Sequence, residues 1–328
     1  MRPVVWGVLG VSKHYKLRIS TGLARSVAVR MKAIASRSES RAAAAASEQG
    51  FERGYGSYEA LLADPEVEAV YIPLPNHLHL EWIKKTADAG KHVLCEKPLC
   101  LNATEVAEAV EYTRSKGVLL MEAFMYRFHP QWVRARELVA MGEVGTPTAV
   151  QGHFFYNNQD PDNIRNRKDA GGGGIMDIGC YAVSSARFLL GREPERVVSL
   201  IQWDERFGTD RLAGAILDFG DVQSTFIVGT QTGSAQGVRL FGTGGEIEIE
   251  LPFNAYPDVP MVVNVQTGVG RRTIQAGPSD QYVEQFEAFS RAVRDGTAVP
   301  TDPEDALNNQ KVLDALFRSG KSGKWERV

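Results

Sequence analysis

The sequence predicts an α/β fold: a doubly wound parallel sheet of the Rossmann type, joined to an α+β domain with a large open, mainly antiparallel sheet. Two observations support this class. Up to Phe124, short apolar runs alternate with helical patterns, and strands separated by single helices form a parallel sheet. Beyond Phe124, alternating segments are separated by turn signals such as FGDV and GTGGE, which is typical of antiparallel strands.

Composition narrows the class of protein. A chain of 328 residues with 43% hydrophobic content can bury a large core, and its length favours two domains. The formal net charge is -3, and the sequence has no dense run of Lys and Arg, so the electrostatic footprint of a nucleic-acid-binding protein is missing. A small-molecule partner is favoured instead.

The cysteines and the hydropathy pattern predict a cytoplasmic location. Cys95, Cys100 and Cys180 form no CxxC pair and have no metal-ligand spacing, so we expect neither a disulfide framework nor a metal site. We find no apolar targeting segment at the amino terminus and no run of ~18 apolar residues that would suit a membrane span. A membrane partner is therefore not expected.

We expect residues 1–124 to form a dinucleotide-binding Rossmann domain. Its predicted elements, in chain order, are the strand PVVWGVLG, a helix over 17–28, the strand MKAIASRS, the strand EAVYIPLP, a helix over 79–89, the strand HVLCEKP, a helix over 103–116 and the strand VLLMEAF. The strands of such a sheet end at one common edge, where a ligand crevice opens at the switch in strand order.

We expect residues 125–300 to form the α+β domain, and residues 301–328 to form a helix that packs back on the Rossmann domain. Asp280 and Asp302 are placed to cap the last two helices. The elements between are the helix HPQWVRARELVAMGEVG, the strand TPTAVQGHFFYN, a glycine run, a helix over 177–190 and the strand segments AGAILDFGDVQSTFIVG, GVRLFGTGGEIEIE and MVVNVQTGVGRRTIQA.

The turn WGVLGVSKHY follows the first predicted strand, where a dinucleotide fold receives the pyrophosphate on free N–H groups. Gly10 fits the first glycine of G-x-G-x-x-G, but Ser12 replaces the second and Tyr15 stands at the third. Ser12 is small enough for close backbone approach, and its hydroxyl can bond a phosphate. Tyr15 must point away from the sheet or push the helix outward. Taken alone the turn is a weak signal, because strand-glycine-helix turns are common.

The turn after the second predicted strand favours NADP over NAD. An acidic residue is expected there when the adenosine ribose has a free 2′-hydroxyl. Here Ser36, Arg37 and Ser38 occupy the turn. A guanidinium paired with a 2′-phosphate is a charge-assisted contact worth roughly 1.5–3 kcal/mol. The alternative is that Arg37 is a solvated loop residue.

The stretch YIPLPNHLHLEW marks the next strand end. Pro73 and Pro75 end the strand, and Asn76 is placed to cap the following helix. From the residues alone, His77 and His79 are helix-start residues.

The stretch HVLCEKPLCLN ends an apolar strand with Glu96, Lys97 and Pro98. A strand-to-helix turn explains part of it, because Pro98 stops the strand and Asn102 caps the next helix. It does not explain Lys97.

Four motifs, PNHLH, EKP, YRFHP and GGGGIMDIGCY, occur in this order and together resemble the Gfo/Idh/MocA oxidoreductases, the family of glucose-fructose oxidoreductase and inositol dehydrogenase. The resemblance runs essentially end to end, and the nearest subgroup contains D-xylose dehydrogenase and dihydrodiol dehydrogenase. It implies that Lys97 points at the reacting oxygen of the substrate beside the nicotinamide, that the bond from Lys97 to Pro98 is often cis, and that Glu96 lies near the cofactor. The alternative for Lys97 is a surface lysine.

The glycine run Gly171 to Gly174 would be a costly loop unless its backbone comes close to other groups or adopts positive φ. Asp177 and Tyr181 follow it four residues apart, on one helix face. The resemblance implies that Tyr181 accepts or donates the proton and that Asp177 binds a substrate hydroxyl. Many relatives carry His at the position of Tyr181, so its acid/base role stays open. As alternatives, Asp177 caps its helix and Tyr181 is a core residue.

The resemblance also implies a wider set of site residues. Arg127 and Arg165 resemble positions that contact cofactor or substrate, with surface salt bridges as the alternative. Phe155 and Tyr156 are placed to line the sugar pocket, or else pack in the core. The full cofactor-binding set is Gly10, Ser12, Lys13, His14, Ser36, Arg37, Leu74, Pro75, Asn76, His79, Glu96, Lys97, Arg127 and Arg165. The substrate-binding set is Lys97, Phe155, Tyr156, Asp177 and Tyr181.

These features predict an NADP-preferring oxidoreductase that moves hydride between nicotinamide and a secondary carbinol carbon of a sugar or cyclic polyol, with NAD less favoured. Lys97, Asp177 and Tyr181 are the predicted catalytic residues. Two alternatives stay open: a dehydrogenase of dihydrodiols or other non-sugar alcohols, and a catalytically silent NADP-binding regulator. The resemblance further implies a homo-oligomer, dimer or tetramer, formed through the open sheet.

Overall fold

The computed structural model describes residues 2–328, which form two compact units. Unit 1 comprises the chain up to Met125 together with Tyr282–Leu307, and unit 2 comprises Tyr126–Gln281 together with Asn308–Val328. None of the helices within residues 2–328 is both long and apolar enough to cross a membrane.

The predicted strands and helices occur in the predicted order, and the structure adds elements that were not predicted, among them two helices and a strand within residues 39–62 and a strand over 196–203. The strands are β1 (Val4–Leu9), β2 (Val29–Ala35), β3 (Arg53–Tyr55), β4 (Ala69–Ile72), β5 (His92–Cys95), β6 (Leu120–Glu122), β7 (Pro147–Asn157), β8 (Arg196–Trp203), β9 (Asp210–Asp218), β10 (Gln223–Gly229), β11 (Gln231–Gly242), β12 (Gly245–Ile249), β13 (Met261–Thr267), β14 (Gly270–Ala276) and β15 (Glu326–Arg327). The α-helices are α1 (Ser20–Leu23), α2 (Glu39–Gln49), α3 (Tyr58–Leu62), α4 (His79–Asp88), α5 (Ala103–Ser115), α6 (Pro130–Ala140), α7 (Cys180–Leu190), α8 (Gln281–Asp295) and α9 (Pro303–Ser322).

Unit 1 contains a six-stranded parallel sheet in the order β3-β2-β1-β4-β5-β6. The predicted Rossmann sheet is therefore confirmed. Its strand order reverses between β1 and β4, and this switch point is where open α/β sheets bind ligands, outside the carboxyl ends of the strands. The two strands at the switch point, β1 and β4, are buried along their length, as the centre of a sheet covered on both faces requires.

Unit 2 contains a nine-stranded sheet in the order β14-β13-β12-β11-β7-β10-β9-β8-β15. The pair β7 and β10 is parallel and the other pairs are antiparallel, so the predicted open, mainly antiparallel sheet is confirmed. Helix α9 packs on one face of this sheet, where the Ser199 hydroxyl donates to the Leu316 carbonyl at 2.7 Å.

The observed units differ from the predicted domains in two places. Helix α8 belongs largely to unit 1, because its rings pack on the first strand: the rings of Phe286 and Phe289 lie 4.8 Å and 5.4 Å from that of Trp6. The chain after Leu307 belongs to unit 2, where Ser319 accepts a hydrogen bond from the Ser199 N–H. The expected packing of residues 301–328 on the Rossmann domain stays a prediction.

The helix after β1 differs from the prediction. It contains a π turn, Tyr15–Ile19, and ends with α1 at Leu23, well before the predicted end at residue 28. Tyr15 does not point away from the sheet. It is 1% exposed, and its ring lies 5.6 Å from Phe51 and 6.1 Å from Tyr71 of β4. A π turn widens a helix locally, and here it begins at the bulky residue that stands in the place of the third glycine.

Two of the predicted helix caps are confirmed. The Asn102 side chain accepts from the Glu105 N–H at 3.0 Å, and the Asp302 side chain accepts from the Glu304 N–H at 2.9 Å. The predicted Asn76 cap is wrong, since Asn76 is the first residue of a short 3₁₀ helix whose N-cap position is Pro75.

Candidate active site

Gly10 lies where the loops after β1, β2 and β4 meet at the carboxyl edge of the parallel sheet. Its φ is +102°, and a Cβ atom there would lie 2.9 Å from Cδ2 of Leu74. Its N–H donates to the Ala35 carbonyl at 2.9 Å. Only glycine suits this conformation and this close approach. The turn therefore has the shape of a phosphate-binding turn, although the other two motif glycines are missing.

Ser12 caps the helix that follows this turn. Its Oγ accepts from the N–H groups of His14 at 3.1 Å and Tyr15 at 3.3 Å. A hydroxyl that accepts two bonds can still donate its proton, so a phosphate contact by Ser12 stays a prediction. The side chain of Lys13, the next residue, is exposed.

The turn after β2 carries two arginines close to Gly10. Arg37 is exposed, which fits both the predicted phosphate contact and the alternative of a solvated loop residue, and Ser36 is buried. Arg41, in the first turn of α2, donates to the Val11 carbonyl at 3.1 Å. Burial raises the pKa of Tyr58, and the charges of Arg37 and Arg41 oppose this rise, so both guanidinium groups lie near that phenol. Sequence reasoning missed Arg41, although a second arginine four residues after Arg37 was an available signal.

Glu96, at the end of β5, is held by its neighbours in unit 1. Its Oε1 accepts from the Tyr71 hydroxyl at 2.6 Å, and its Oε2 accepts from the Lys97 N–H at 3.3 Å. Nε2 of His14 lies 3.7 Å from Oε1. The peptide bond between Lys97 and Pro98 is cis, as the family resemblance implied. The structure therefore brings together the predicted residues His14, Glu96 and Lys97, and adds Tyr71.

His79 is not placed to contact a ligand directly, in contrast to its predicted role. It is fully buried, and its Nε2 lies 2.8 Å from the Leu74 carbonyl. Its Nδ1 lies 3.1 Å from the carbonyls of both Pro98 and Leu99. Burial lowers the pKa of His79. A neutral imidazole has one N–H, so His79 donates to a carbonyl of one loop and packs against the carbonyl of the other, between the loop after β4 and the loop after β5.

In unit 2, the glycine run allows other backbone and side-chain atoms to approach closely. Gly173 has φ +118°, and a Cβ atom on it would collide with Oδ1 of Asp210. A Cβ atom on Gly172 would collide with the Arg165 carbonyl oxygen. The predicted reasons for the run, positive φ and close approach, are both confirmed.

The glycine run leads into a π turn, Ile175–Gly179, and then into α7. Asp177 lies in this turn, with a side chain that is 14% exposed. Its Oδ2 accepts from Arg165 Nε at 2.9 Å and from the Tyr156 hydroxyl at 2.8 Å. We call Tyr156, Arg165 and Asp177 the Asp177 cluster. The alternative that Asp177 caps its helix is wrong, because Gly174 is the N-cap residue.

Charges couple the members of the Asp177 cluster. The Asp177 carboxylate holds the pKa of Arg165 above its usual value although partial desolvation opposes this, with smaller effects from Tyr156 and Tyr181. Burial, and after it the Asp177 charge, raises the pKa of Tyr156. Arg165 is therefore cationic and Tyr156 is a neutral donor at ordinary pH, and both orient the carboxylate.

Tyr181 lies in the first turn of α7 and is 5% exposed. Its ring centroid lies 5.0 Å from that of Phe253 and 5.9 Å from those of Phe154 and Tyr126. The core alternative therefore describes the ring of Tyr181, whose position is set by aromatic packing. Such packing holds a phenol in one rotamer, which a proton-transfer group requires.

Two predicted residues lie apart from the Asp177 cluster. Phe155 points to the opposite face of the sheet from Tyr156, since successive strand residues alternate, and its ring lies 6.1 Å from that of His153. A pocket beside Tyr156 therefore would not include Phe155. Arg127 is 8% exposed, and its guanidinium donates to the Ser184 hydroxyl at 2.7 Å, so it braces α7. A cofactor contact by Arg127 or Arg165 stays a prediction.

Two protein-family models match the chain. The model described as "Oxidoreductase family, NAD-binding Rossmann fold" matches residues 4–124, and the model described as "GFO/IDH/MocA C-terminal domain" matches residues 132–248. The two matches fall in the parallel-sheet unit and in the open-sheet unit, respectively.

Similar proteins include enzymes and solved structures. A D-xylose 1-dehydrogenase (NADP(+)) of Haloferax volcanii is 42% identical, over 89% of this chain and 90% of its own. A 3-ketoreductase from Actinomadura kijaniata, solved with NADP and TDP-benzene, is 28% identical with a TM-score of 0.91, over 97% of this chain and 98% of its own. Further structures of that ketoreductase carry a replaced tyrosine or a replaced lysine. An aldose-aldose oxidoreductase from Caulobacter crescentus has a TM-score of 0.92 at 25% identity, over the full length of both chains.

The contacts of His79 predict a supporting role that a substitution can test. His79→Leu removes the hydrogen bond that the imidazole N–H donates to a buried carbonyl, so we expect the free energy of unfolding to fall by about 1–3 kcal/mol. We also expect weaker NADP binding, because the loops after β4 and β5 lose the imidazole between them. Urea unfolding and calorimetric titration with NADP measure the two effects. His77→Leu, an exposed neighbour, is the control; equal effects of the two substitutions would contradict this role.

Proposed function

The chain belongs to the GFO/IDH/MocA oxidoreductase family, and we propose that it is an NADP-preferring dehydrogenase or reductase. Its substrate is a sugar or cyclic polyol, which reacts at a secondary alcohol or ketone carbon or at a hemiacetal carbon. The observation that carries the proposal is the Asp177 cluster, a partly exposed carboxylate oriented by a cation and a phenol one helical turn before Tyr181. The relatives named as xylose dehydrogenase and aldose-aldose oxidoreductase support a sugar over a dihydrodiol.

The residues of unit 1 fit a dinucleotide. We propose that the turn at Gly10, capped by Ser12, receives the pyrophosphate on the N-terminus of its helix. A bound nicotinamide would supply the hydride acceptor in oxidation and the hydride donor in reduction. Glu96, anchored by Tyr71, gives Lys97 a defined backbone position. The Lys97 ammonium then stabilises the negative charge that develops on the reacting oxygen, and oriented charge of this kind is usually the largest catalytic contribution.

The residues of unit 2 act on the substrate hydroxyl groups. We propose that Tyr181, as a phenolate, takes the hydroxyl proton in the oxidative direction and, as the resulting phenol, returns it in the reductive direction. Asp177 accepts a hydrogen bond from a neighbouring hydroxyl, since an ionised carboxylate only accepts hydrogen bonds and can take several at once. The replaced lysine and tyrosine in the solved ketoreductase variants are the residue types given catalytic roles here.

The two arginines after β2 support a preference for NADP. Arg37 and Arg41 place two positive charges beside the turn at Gly10, and no acidic residue occupies Ser36 to Ser38. We propose that both guanidinium groups face the 2′-phosphate, with Arg41 also fixed by the Val11 carbonyl. The three cysteines are buried and none is in a disulfide, which supports the expected location in a reducing compartment such as the cytoplasm.

The open face of the nine-stranded sheet supports self-association. Leu200 and Ile227 are 75% and 45% exposed, and register places both on one face, since Gly214 pairs with each of them. An exposed apolar sheet face of this kind marks a protein interface. We propose that two copies of the chain pair through this face.

Lys97 tests the catalytic part of the proposal. Purified protein with NADP and a panel of aldoses, inositols and dihydrodiols should form reduced nicotinamide, followed by its absorbance, with at least one aldose or inositol. Lys97→Met should lower turnover by about 100-fold or more, because oriented charge is lost, while the Kd for NADP changes little. Lys84→Met, on α4 and paired with Glu108, is the control. Unchanged turnover in Lys97→Met would remove Lys97 from the mechanism.

Arg37 tests the cofactor preference. Arg37→Asp should weaken NADP binding about tenfold to a hundredfold, because a charge-assisted contact is lost and a like charge faces the phosphate. NAD, which lacks that phosphate, should be affected much less. Titration with both cofactors measures the difference, with Arg25→Asp, an exposed arginine after α1, as the control. Equal loss of NADP and NAD affinity would show that Arg37 does not read the phosphate.

Ile227 tests self-association. Ile227→Arg puts a charge into the apolar open face and should shift the protein from dimer or tetramer toward monomer in size-exclusion chromatography with light scattering. Val269→Arg is the control, because Val269 is fully exposed in the turn between β13 and β14. A wild-type protein that is monomeric, or an Ile227→Arg oligomer of unchanged size, would refute pairing through this face.

A further inference from the structure

Asp210, the first residue of β9, is a buried carboxylate that the proposed reaction does not use. It is 1% exposed, and its Oδ2 accepts from the Ile175 N–H at 2.6 Å. Ile175 begins the π turn, where the backbone N–H groups have no partner within the helix. Asp210 therefore caps, from a neighbouring strand, the helix that carries Asp177 and Tyr181.

The glycine run is shaped around this carboxylate. A Cβ atom on Gly173 would collide with Oδ1 of Asp210, and a Cβ atom on Gly174 would lie 3.2 Å from Oδ2. Gly173 itself has φ +118°, a conformation that side chains rarely adopt. The backbone thus wraps the carboxylate so closely that a shift of Asp210 shifts the start of the helix.

The position of Asp210 does not favour its ionised form. Burial raises the pKa of Asp210 to about 6, although hydrogen bonds from Ile175 and Gly174 oppose this, and the nearby Asp177 charge raises it further. Because the folded-state pKa lies above the usual value, the protonated form favours folding, and that stability is lost as pH rises through about 6. Asp210 as a carboxylate therefore costs stability at neutral pH. Buried ionisable groups with such shifted pKa values are concentrated at functional sites.

We propose that Asp210 is a positioning residue for the reaction: its carboxylate holds the glycine run and the π turn, and thereby sets where Asp177 and Tyr181 meet the substrate. The inference rests on the proposed function. Asp210 touches neither substrate nor cofactor and acts through the helix start alone.

If Asp210 acts as a carboxylate, its protonation should change kcat/KM as the pH falls. A neutral carboxyl keeps one acceptor oxygen and turns the other into an O–H donor, which then faces the backbone N–H groups of the glycine run. The ionisable groups that face Asp210 are Asp177 in the π turn and Tyr156 on β7, and Arg165 neutralises Asp177. Of these, Arg165 stays charged and Tyr156 stays neutral at pH 5–8, because the pKa values of both are raised.

Asp210→Asn tests the inference, because asparagine keeps the shape of aspartate and imitates its neutral form. With the aldose or polyol that the wild-type protein turns over fastest, kcat/KM should fall by roughly tenfold to a hundredfold, the loss typical of a small misplacement of reacting groups. The wild-type kcat/KM should also fall as pH drops below about 6, and this fall with pH should be absent in Asp210→Asn. The Kd for NADP should be unchanged in both. Asp218→Asn, at the far end of β9 and paired with Arg196, is the matched control.

Gly173→Ala tests the same contact from the other side and replaces the first variant if Asp210→Asn does not fold. The added Cβ displaces the carboxylate without removing its charge, so kcat/KM should fall in the same sense. Two results would overturn the inference and leave the proposed function intact: an unchanged kcat/KM in both variants, or a fall of kcat/KM near pH 6 that persists in Asp210→Asn. A wild-type protein that turns over none of the substrates would instead overturn the proposed function, and this inference with it.

Discussion

The Asp177 carboxylate is the group on which the site in unit 2 depends. It accepts from Arg165 and from Tyr156 at once, and it lies on a π turn held by a second carboxylate, Asp210. The carboxylates of Asp177 and Asp210 can lie near each other because Arg165 neutralises the charge of Asp177, and backbone N–H groups donate hydrogen bonds to Asp210. Gly172 and Gly173 follow from this constraint, since a Cβ atom on either would occupy the space of the Arg165 carbonyl or of Asp210.

The site in unit 1 is built on a different constraint, the close packing of loops at one edge of the parallel sheet. Because Gly10 has no side chain, the Leu74 side chain packs close to its backbone. His79 lies between the loop of Leu74 and the loop of Pro98. Buried hydrogen bonds to backbone carbonyls are costly to break, so these loops keep their relative positions. The positions of Glu96 and Lys97 therefore depend on contacts between these loops and not on the conformational preference of the local sequence.

Much of the fold was predictable because local sequence patterns, namely hydrophobic periodicity and helix-capping residues, encode it. Alternating apolar runs and helical periods gave the parallel sheet, and the caps at Asn102 and Asp302 follow from side-chain chemistry within three residues. The helix after β1 was less predictable, because Tyr15 packs on Phe51 and Tyr71, which are distant in sequence. The membership of α8 in unit 1 likewise depends on Trp6, at the other end of the chain.

The sequence by itself determined the family, the parallel or mainly antiparallel character of each sheet, and the residue types of the site. These features are encoded in motifs and patterns whose members lie a few residues apart. Only the tertiary structure decided that His79 lies buried between two loops, that Phe155 faces away from Tyr156, and that Arg41 and Asp210 support the predicted residues. The physical reason is that these roles arise from hydrogen bonds and burial between segments far apart in the chain. No local pattern records which carbonyl or carboxylate a side chain will meet.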